Sequence, residues 1–186
     1  MVNIKYPTKV KHPNGEYYPI NTSYTVGLRC MSLIDSDVSP KERTYGVLTM
    51  LFGKDAPKDV FMLDKAVLYL QRGEELEVQK TRVHDIDIVQ DLPLIAISIE
   101  TQFPAIDIRE KEIHFWKFID LIESLNGTLI NNVREIRTTK LSDIKDPKHR
   151  RNVEEAQKRY KLKGKEVAKP TLAELMNEIE GGETNG

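Results

Sequence analysis

The side chains able to do chemistry are few and scattered. Cys30 is the only cysteine, and a reactive thiolate needs a histidine or another cation beside it to lower its pKa. It lies instead within an apolar run, with no histidine in a recognisable relation to it, so a buried structural thiol is expected. A single cysteine also rules out an intrachain disulfide and a cysteine-rich zinc site. The four histidines, His12, His84, His114 and His149, fall on four different segments. His84, Asp85 and Asp87 form the only local cluster of metal-ligand types, and on a charged connector a solvated loop is the plainer reading. His114, beside Trp116, lacks a second titratable group to orient it as a base and is read as a packing or hydrogen-bonding residue. Gly27, Gly46, Gly53 and Gly73 are single and widely spaced, which makes no phosphate cradle. The chain is expected to be non-enzymatic, with no cofactor and no metal site.

Composition points the same way. Of 186 residues 39% are hydrophobic, and 28 basic residues stand against 29 acidic ones, a net charge of −1. Nothing global calls for a polyanionic partner. The longest apolar stretches, residues 92–99 and 118–125, are interrupted and fall well short of the roughly 20 residues that span a bilayer. The first residues, MVNIKYPTKV, lack the apolar core of a signal peptide, so a soluble cytoplasmic protein is expected. Charge is uneven along the chain: residues 134–166 carry twelve Lys/Arg against six Asp/Glu, net +6, which leaves −7 for the remainder.

The elements that must position these side chains read as mostly helical. Residues 5–12 and 16–20 flank Pro13-Asn14-Gly15, a strong hairpin signal, and Pro7 and Pro19 suit edge strands. Residues 23–35 have apolar spacing near 3.6 with Thr22 or Ser23 as cap. Ser39-Pro40-Lys41-Glu42 is a capping box with proline in the first turn, and its helix runs to about Phe52. A third helix, residues 59–72, places Phe61, Ala66, Leu68 and Leu70 on an apolar face, with Gly73 as the stop. Residues 74–89 are a charged connector with a short strand at 86–89. Asp91 caps an almost entirely apolar helix, 92–103, expected to be central. Residues 110–125 carry His114, Lys117, Asp120 and Glu123 as a narrow polar stripe on a helix that is otherwise apolar. Thr128 caps a short helix to about Ile136, and Asp146-Pro147 opens a charged helix to residue 160 or 161. After a linker at 164–170, the capping box Thr171-Leu172-Ala173-Glu174 begins an amphipathic helix through Ile179, and residues 181–186 are polar and expected to be disordered. The fold class is therefore mainly α, with six to seven helices. A β-hairpin occupies residues 1–22, a helical domain 23–162, and a linker, tethered helix and tail 163–186.

The order of motifs adds a resemblance. Tyr18-Pro19-Ile20-Asn21-Thr22, Gly27-Leu28-Arg29, Leu51-Phe52-Gly53, Leu94-Ile95, Ile106-Asp107-Ile108, His114-Phe115-Trp116-Lys117-Phe118, Leu125, Arg137-Thr138, Leu141-Ser142-Asp143-Ile144-Lys145-Asp146 and the stretch from Arg150 through Tyr160-Lys161-Leu162 follow one another. This series resembles the bacteriophage family called gene product fifteen, found in the tail-gene region of long-tailed phages and prophages of Gram-positive bacteria. The resemblance covers about residues 16–162, and its most specific parts are the His114–Phe118 segment and the Arg137-to-Asp146 segment. It departs at Phe115-Trp116, where family members often carry two tryptophans. The resemblance implies a helical protein of tail morphogenesis with no known enzymatic activity. Its genes typically sit just before the tape-measure gene, which implies a tail assembly chaperone in the host cytoplasm. Such a protein would hold the tape-measure protein soluble and recruit tail-tube subunits. No catalytic residues carry over.

A chaperone for a long amphipathic helix needs an apolar groove and charged rims rather than a reaction centre. Trp116 and Phe115 could floor such a groove, with a core role for Trp116 as the plainer alternative. Arg150, Arg151 and Arg159 could set a rim, and Leu172, Leu175 and Met176 form an apolar stripe that either folds back or binds a partner. Self-association stays open. Two rival readings remain: a structural minor tail or connector protein of the virion, and a nucleic-acid-binding protein using the basic helix 147–161. Glu154 and Glu155, spaced for intrahelical pairing with Arg150, Arg151, Lys158 and Arg159, make nucleic acid the weaker of these.

Overall fold

The turn signals of the first twenty residues fold as their chemistry requires. Strand β1 (Lys9–Lys11) pairs antiparallel with β2 (Tyr17–Pro19), Val10 opposite Tyr18. Gly15 sits at φ +91°, which glycine adopts without strain, and donates its N–H to the His12 carbonyl at 2.9 Å. The Glu16 carbonyl takes the His12 N–H, also at 2.9 Å. The structure is a computed structural model that describes residues 5–73 and 85–163.

Among the described residues seven helices follow, and most begin where a capping side chain marks them. Helix α1 (Tyr24–Ile34) starts after Ser23, whose hydroxyl accepts the Thr25 N–H at 3.2 Å. Helix α2 (Pro40–Phe52) has its capping box closed: Ser39 Oγ accepts the Glu42 N–H, and the Glu42 carboxylate accepts the Ser39 N–H. Helix α3 (Val60–Leu70) is capped by Asp59 on the Met62 N–H at 2.9 Å. It stops through Arg72 and Gly73, both at positive φ, with the Gly73 N–H on the Leu68 carbonyl. Then come α4 (Leu92–Gln102), α5 (Phe115–Ser124), α6 (Leu129–Thr138), a 3-10 turn (Leu141–Asp143) and α7 (Pro147–Arg159), the last capped by Asp146. The mainly α fold with its small N-terminal hairpin is thus as expected.

The described residues divide into two compact units. One comprises residues 5–73 and 113–118, the other 85–112 and 119–163, so the first turn of α5 belongs with the first unit and the rest with the second. The first unit buries Leu48, Leu51, Met62, Ala66, Phe115 and Phe118 almost completely, each larger aliphatic or aromatic side chain contributing about 1.5–3 kcal/mol by leaving water. The second buries Ile95, Ile99, Leu121, Ile130 and Val133. Its one fully buried serine, Ser98, is satisfied twice: Oγ donates to the Leu94 carbonyl at 2.7 Å and accepts the Ile130 N–H at 3.0 Å, tying α4 to α6.

Several expectations need correction. Helix α5 starts at Phe115, not near 110, because the backbone there is committed elsewhere: Phe115 N–H bonds the Thr22 carbonyl at 2.7 Å and Ile113 O accepts the Tyr24 N–H at 3.0 Å. The buried stripe of α3 is Met62, Leu63, Ala66 and Tyr69; of the four residues expected on it only Ala66 is buried, and Leu68 is exposed. Residues 88–90 form a turn rather than a strand, held by Asp87 Oδ1 on the Val89 and Gln90 N–H groups. The α4 helix has a wet side, with Ile97 44% exposed. Asp91 makes no side-chain cap on α4; its carboxylate has other partners, described below. The expected helix at 171–179 and the tail at 181–186 lie outside the described residues.

Candidate protein-binding surfaces

In the first unit, the segment 114–118 proves to be an organiser of packing. His114 Nδ1 accepts the Trp116 backbone N–H at 3.1 Å, and Nε2 faces the Pro7 carbonyl at 3.0 Å. For both bonds to form, the ring donates through Nε2 and accepts at Nδ1. Tyr6 stacks on its ring at 4.9 Å between centroids. The Phe115 side chain is 1% exposed and lies against the bare backbone of Gly27. Trp116 is half-buried, stacks on Tyr69, and donates its indole N–H to the Tyr69 carbonyl at 2.8 Å. Phe118 is buried against Tyr24. Phe115 is therefore core, and Trp116 has only part of its surface available to a partner.

The other chemistry-bearing groups of this unit are similarly occupied. Cys30 is fully buried, and burial pushes its thiol up to about 12, which keeps it protonated. Burial also raises the Tyr69 phenol, with Cys30 nearby adding to the effect.

In the second unit the basic helix α7 carries no buried residue. It is held by polar bonds: Gln157 Nε2 donates to the Ile136 and Thr139 carbonyls at 2.9 and 2.7 Å. Arg150 turns inward along the chain and donates twice to the Ile144 carbonyl. Arg151 pairs with Glu155 at 3.4 Å, and Lys158 with Glu154 at 2.6 Å. The Lys158 hydrogen bond and charge hold the Glu154 carboxyl below its usual range. Arg159 is exposed. Beside this helix an open groove of about 420 Å³ is lined by Arg137, Glu154, Gln157, Lys158, Lys161 and Leu162, a surface of alternating charge. Leu172, Leu175 and Met176 lie outside the described residues.

Arg137 was not singled out from the sequence as a site residue, yet it is the hub of this unit. Its guanidinium makes a bidentate pair with Asp91, at 2.7 and 2.8 Å, with the two side chains 8% and 3% exposed. Two further N–H groups reach the carbonyls of Asp85 at 2.9 Å and Tyr160 at 2.6 Å. Asp91 also takes the Asp87 N–H at 3.0 Å. Charge-assisted bidentate bonds of this kind are the strong ones, and here they fasten the end of α7 to the start of α4. A signal existed: Ile130, Val133 and Arg137 share one α6 face by their spacing, which puts a charge in line with two buried side chains. Of the metal-ligand types suspected at 84–87, Asp85 binds Arg134 at 2.9 Å and Asp87 serves its own turn; His84 lies outside the described residues. Among the described residues no group of three or more His, Cys, Asp or Glu could hold a metal ion.

A family model described as Bacteriophage Gp15 protein matches residues 9–162. No curated protein and no solved structure matches the chain.

Proposed function

Because the chain belongs to the bacteriophage Gp15 protein family, we propose that it is a tail assembly chaperone, non-enzymatic, working in the host cytoplasm. It binds the tape-measure protein, the tail-tube subunits or both while the tail is built. The family match over residues 9–162 carries this reading, given the tail-gene position that the family resemblance implies. The physical features are compatible with it. A binder of amphipathic helices needs apolar contacts beside adjustable charged rims, and α7 offers charges of both signs on an exposed helix. No helix among the described residues is long and apolar enough to cross a membrane.

A protein partner suits α7 better than phosphate. Arg151 and Lys158 are each engaged by a glutamate and Arg150 by a backbone carbonyl, which leaves fewer cations to release counterions from a nucleic acid.

The reading is tested by co-expressing the chain with the tape-measure protein of the same phage. A chaperone raises the soluble fraction of the tape-measure protein and co-purifies with it, in a complex that persists as salt is raised. A tape-measure protein equally soluble without the chain, with no complex, contradicts it.

A further inference from the structure

Strand β1 has a free edge, and the alternation of the ladder tells which groups lie on it. The Ile20 N–H donates to the Thr8 carbonyl and the His12 N–H to the Glu16 carbonyl, each at 2.9 Å, so residues 8, 10 and 12 turn their backbone groups toward β2. Lys9 and Lys11 turn theirs away from it, two N–H and two C=O groups that have no partner among the described residues. The edge is bounded at both ends. Pro7 and Pro13 lack an N–H, and the Pro7 carbonyl faces His114 Nε2 at 3.0 Å. The far edge of β2 offers less, since Pro19 has no N–H and the Asn21 N–H is taken by the Leu51 carbonyl at 2.7 Å.

The side chains along this edge carry one sign of charge. The register sets Lys11 opposite Tyr17 and Lys9 opposite Pro19, so both lysines share a face with Tyr17. All three are exposed, Tyr17 at 56%. Lys9 Nζ lies 4.5 Å and Lys11 Nζ 5.9 Å from the centre of the Tyr17 ring, and among the described residues neither lysine pairs with a carboxylate. The opposite face is engaged: the His12 ring meets Phe61 of α3 edge-on at 5.2 Å and bonds Asp59 at 2.9 Å. The hairpin is thus fastened to α3 by one face while β1 keeps its edge and its lysines in solvent.

Lysines on an edge strand oppose pairing with a second copy, because two β1 edges would bring like charges against each other. The same charges favour a segment that carries carboxylates at every second position. We propose that β1 takes up an extended acidic segment of another protein as a third strand of the sheet. Its main chain bonds Lys9 and Lys11, and its acidic side chains lie beside the two ammonium groups. Main-chain bonds supply the affinity and the lysines the selection. The inference stands on the hairpin alone and does not depend on the tail-assembly reading.

The test is a titration of the ¹⁵N-labelled full chain, at low salt, with a blocked peptide of alternating glutamate and valine. The Lys9 and Lys11 amide signals should shift, and at saturation these two amides should exchange about tenfold or more slowly. A peptide of the same sequence N-methylated at alternate residues cannot form the ladder and should leave both amides unprotected. Lys9→Glu combined with Lys11→Glu should weaken the acidic peptide about tenfold and admit a peptide of alternating lysine and valine in its place. Both positions are exposed, so the hairpin should survive; should that variant lose its fold, Lys9→Gln with Lys11→Gln replaces it and should weaken binding by a smaller factor. No shift at millimolar peptide, or equal binding of the N-methylated or the lysine peptide by the parent chain, overturns the proposal and leaves the lysines as guards of the edge. Protection of Lys9 and Lys11 that rises with protein concentration in the absence of peptide assigns the edge to a second copy and overturns it as well.

Discussion

Replacing Gly27 by alanine should destabilise the first unit, although alanine is the better helix former. Gly27 is buried in α1, where alanine gains about 0.8–1 kcal/mol in intrinsic propensity. The added methyl carbon would lie 2.2 Å from Phe115 Cδ2 and 2.7 Å from Cε2 and Cγ, against an ordinary carbon contact of about 3.5–4.0 Å. The ring would have to retreat by more than an ångström, and at 1% exposure it has no open space to enter. Overpacking of that kind costs about 1–3 kcal/mol; with a displacement this large the upper half applies, leaving a net loss of about 1–2 kcal/mol after the propensity gain. Trp116 is the only tryptophan and sits in this unit, so urea unfolding followed by its fluorescence reads the effect directly. Combining G27A with Phe115→Leu, which removes the ring edge, should couple the two sites by about 1 kcal/mol, the double variant being more stable than the sum of the singles predicts. A G27A protein more stable than the parent, or losses that simply add, would refute the close approach on which the reasoning depends.

Other consequences are equally direct. Arg137→Ala leaves Asp91 buried and without its cation, and should cost about 3–5 kcal/mol in urea unfolding followed by far-UV circular dichroism; R137K, which cannot form the bidentate pair, should recover only part of that. The Tyr69 hydroxyl is buried and, among the described residues, has no hydrogen-bond partner, so Tyr69→Phe should be neutral or stabilising by up to about 1 kcal/mol in the same measurement. The Asp59 carboxyl is pushed up by burial, but the Met62 N–H and His12 outweigh this and hold it below its usual value. A depressed folded-state value means that its contribution is present above the unfolded value of about 3.9 and is lost as the pH falls through the folded one. Asp59→Asn should therefore flatten the loss of stability from about pH 4 downward, slightly, since the side chain is 46% exposed; an unchanged acid limb of the urea midpoint contradicts this.

The elements legible in the sequence were those fixed by local chemistry. Ser39 with Glu42, Asp146 with Pro147, and the glycines at 15 and 73 announce turns and helix ends whose bonds involve neighbours within a few residues, so a one-dimensional pattern contains them. What escaped depended on distant partners. The start of α5 is set by backbone pairing with residues 22–24, about ninety positions away along the chain. Gly27 lowers the helix score of α1 by itself, and its reason, the Phe115 ring, lies on another element. Asp91 reads from the sequence as a cap, and only its juxtaposition with the distant Arg137 makes its carboxylate an ion-pair partner instead. Among the suggested binding residues, Phe115 sits in the core because a large apolar side chain looks the same in sequence whether it fills a core or floors a groove. Arg150 and Arg151 keep to local partners, as their spacing from Ile144 and Glu155 allows.

The central claim, that the chain helps build the tail without becoming part of it, is tested most directly by quantitative mass spectrometry of purified virions against infected-cell lysate, with the major tail-tube protein as the internal standard. The chaperone reading predicts a chain abundant in the lysate and absent from finished particles. A fixed stoichiometric amount in the particles would contradict it and make the protein a structural component of the tail.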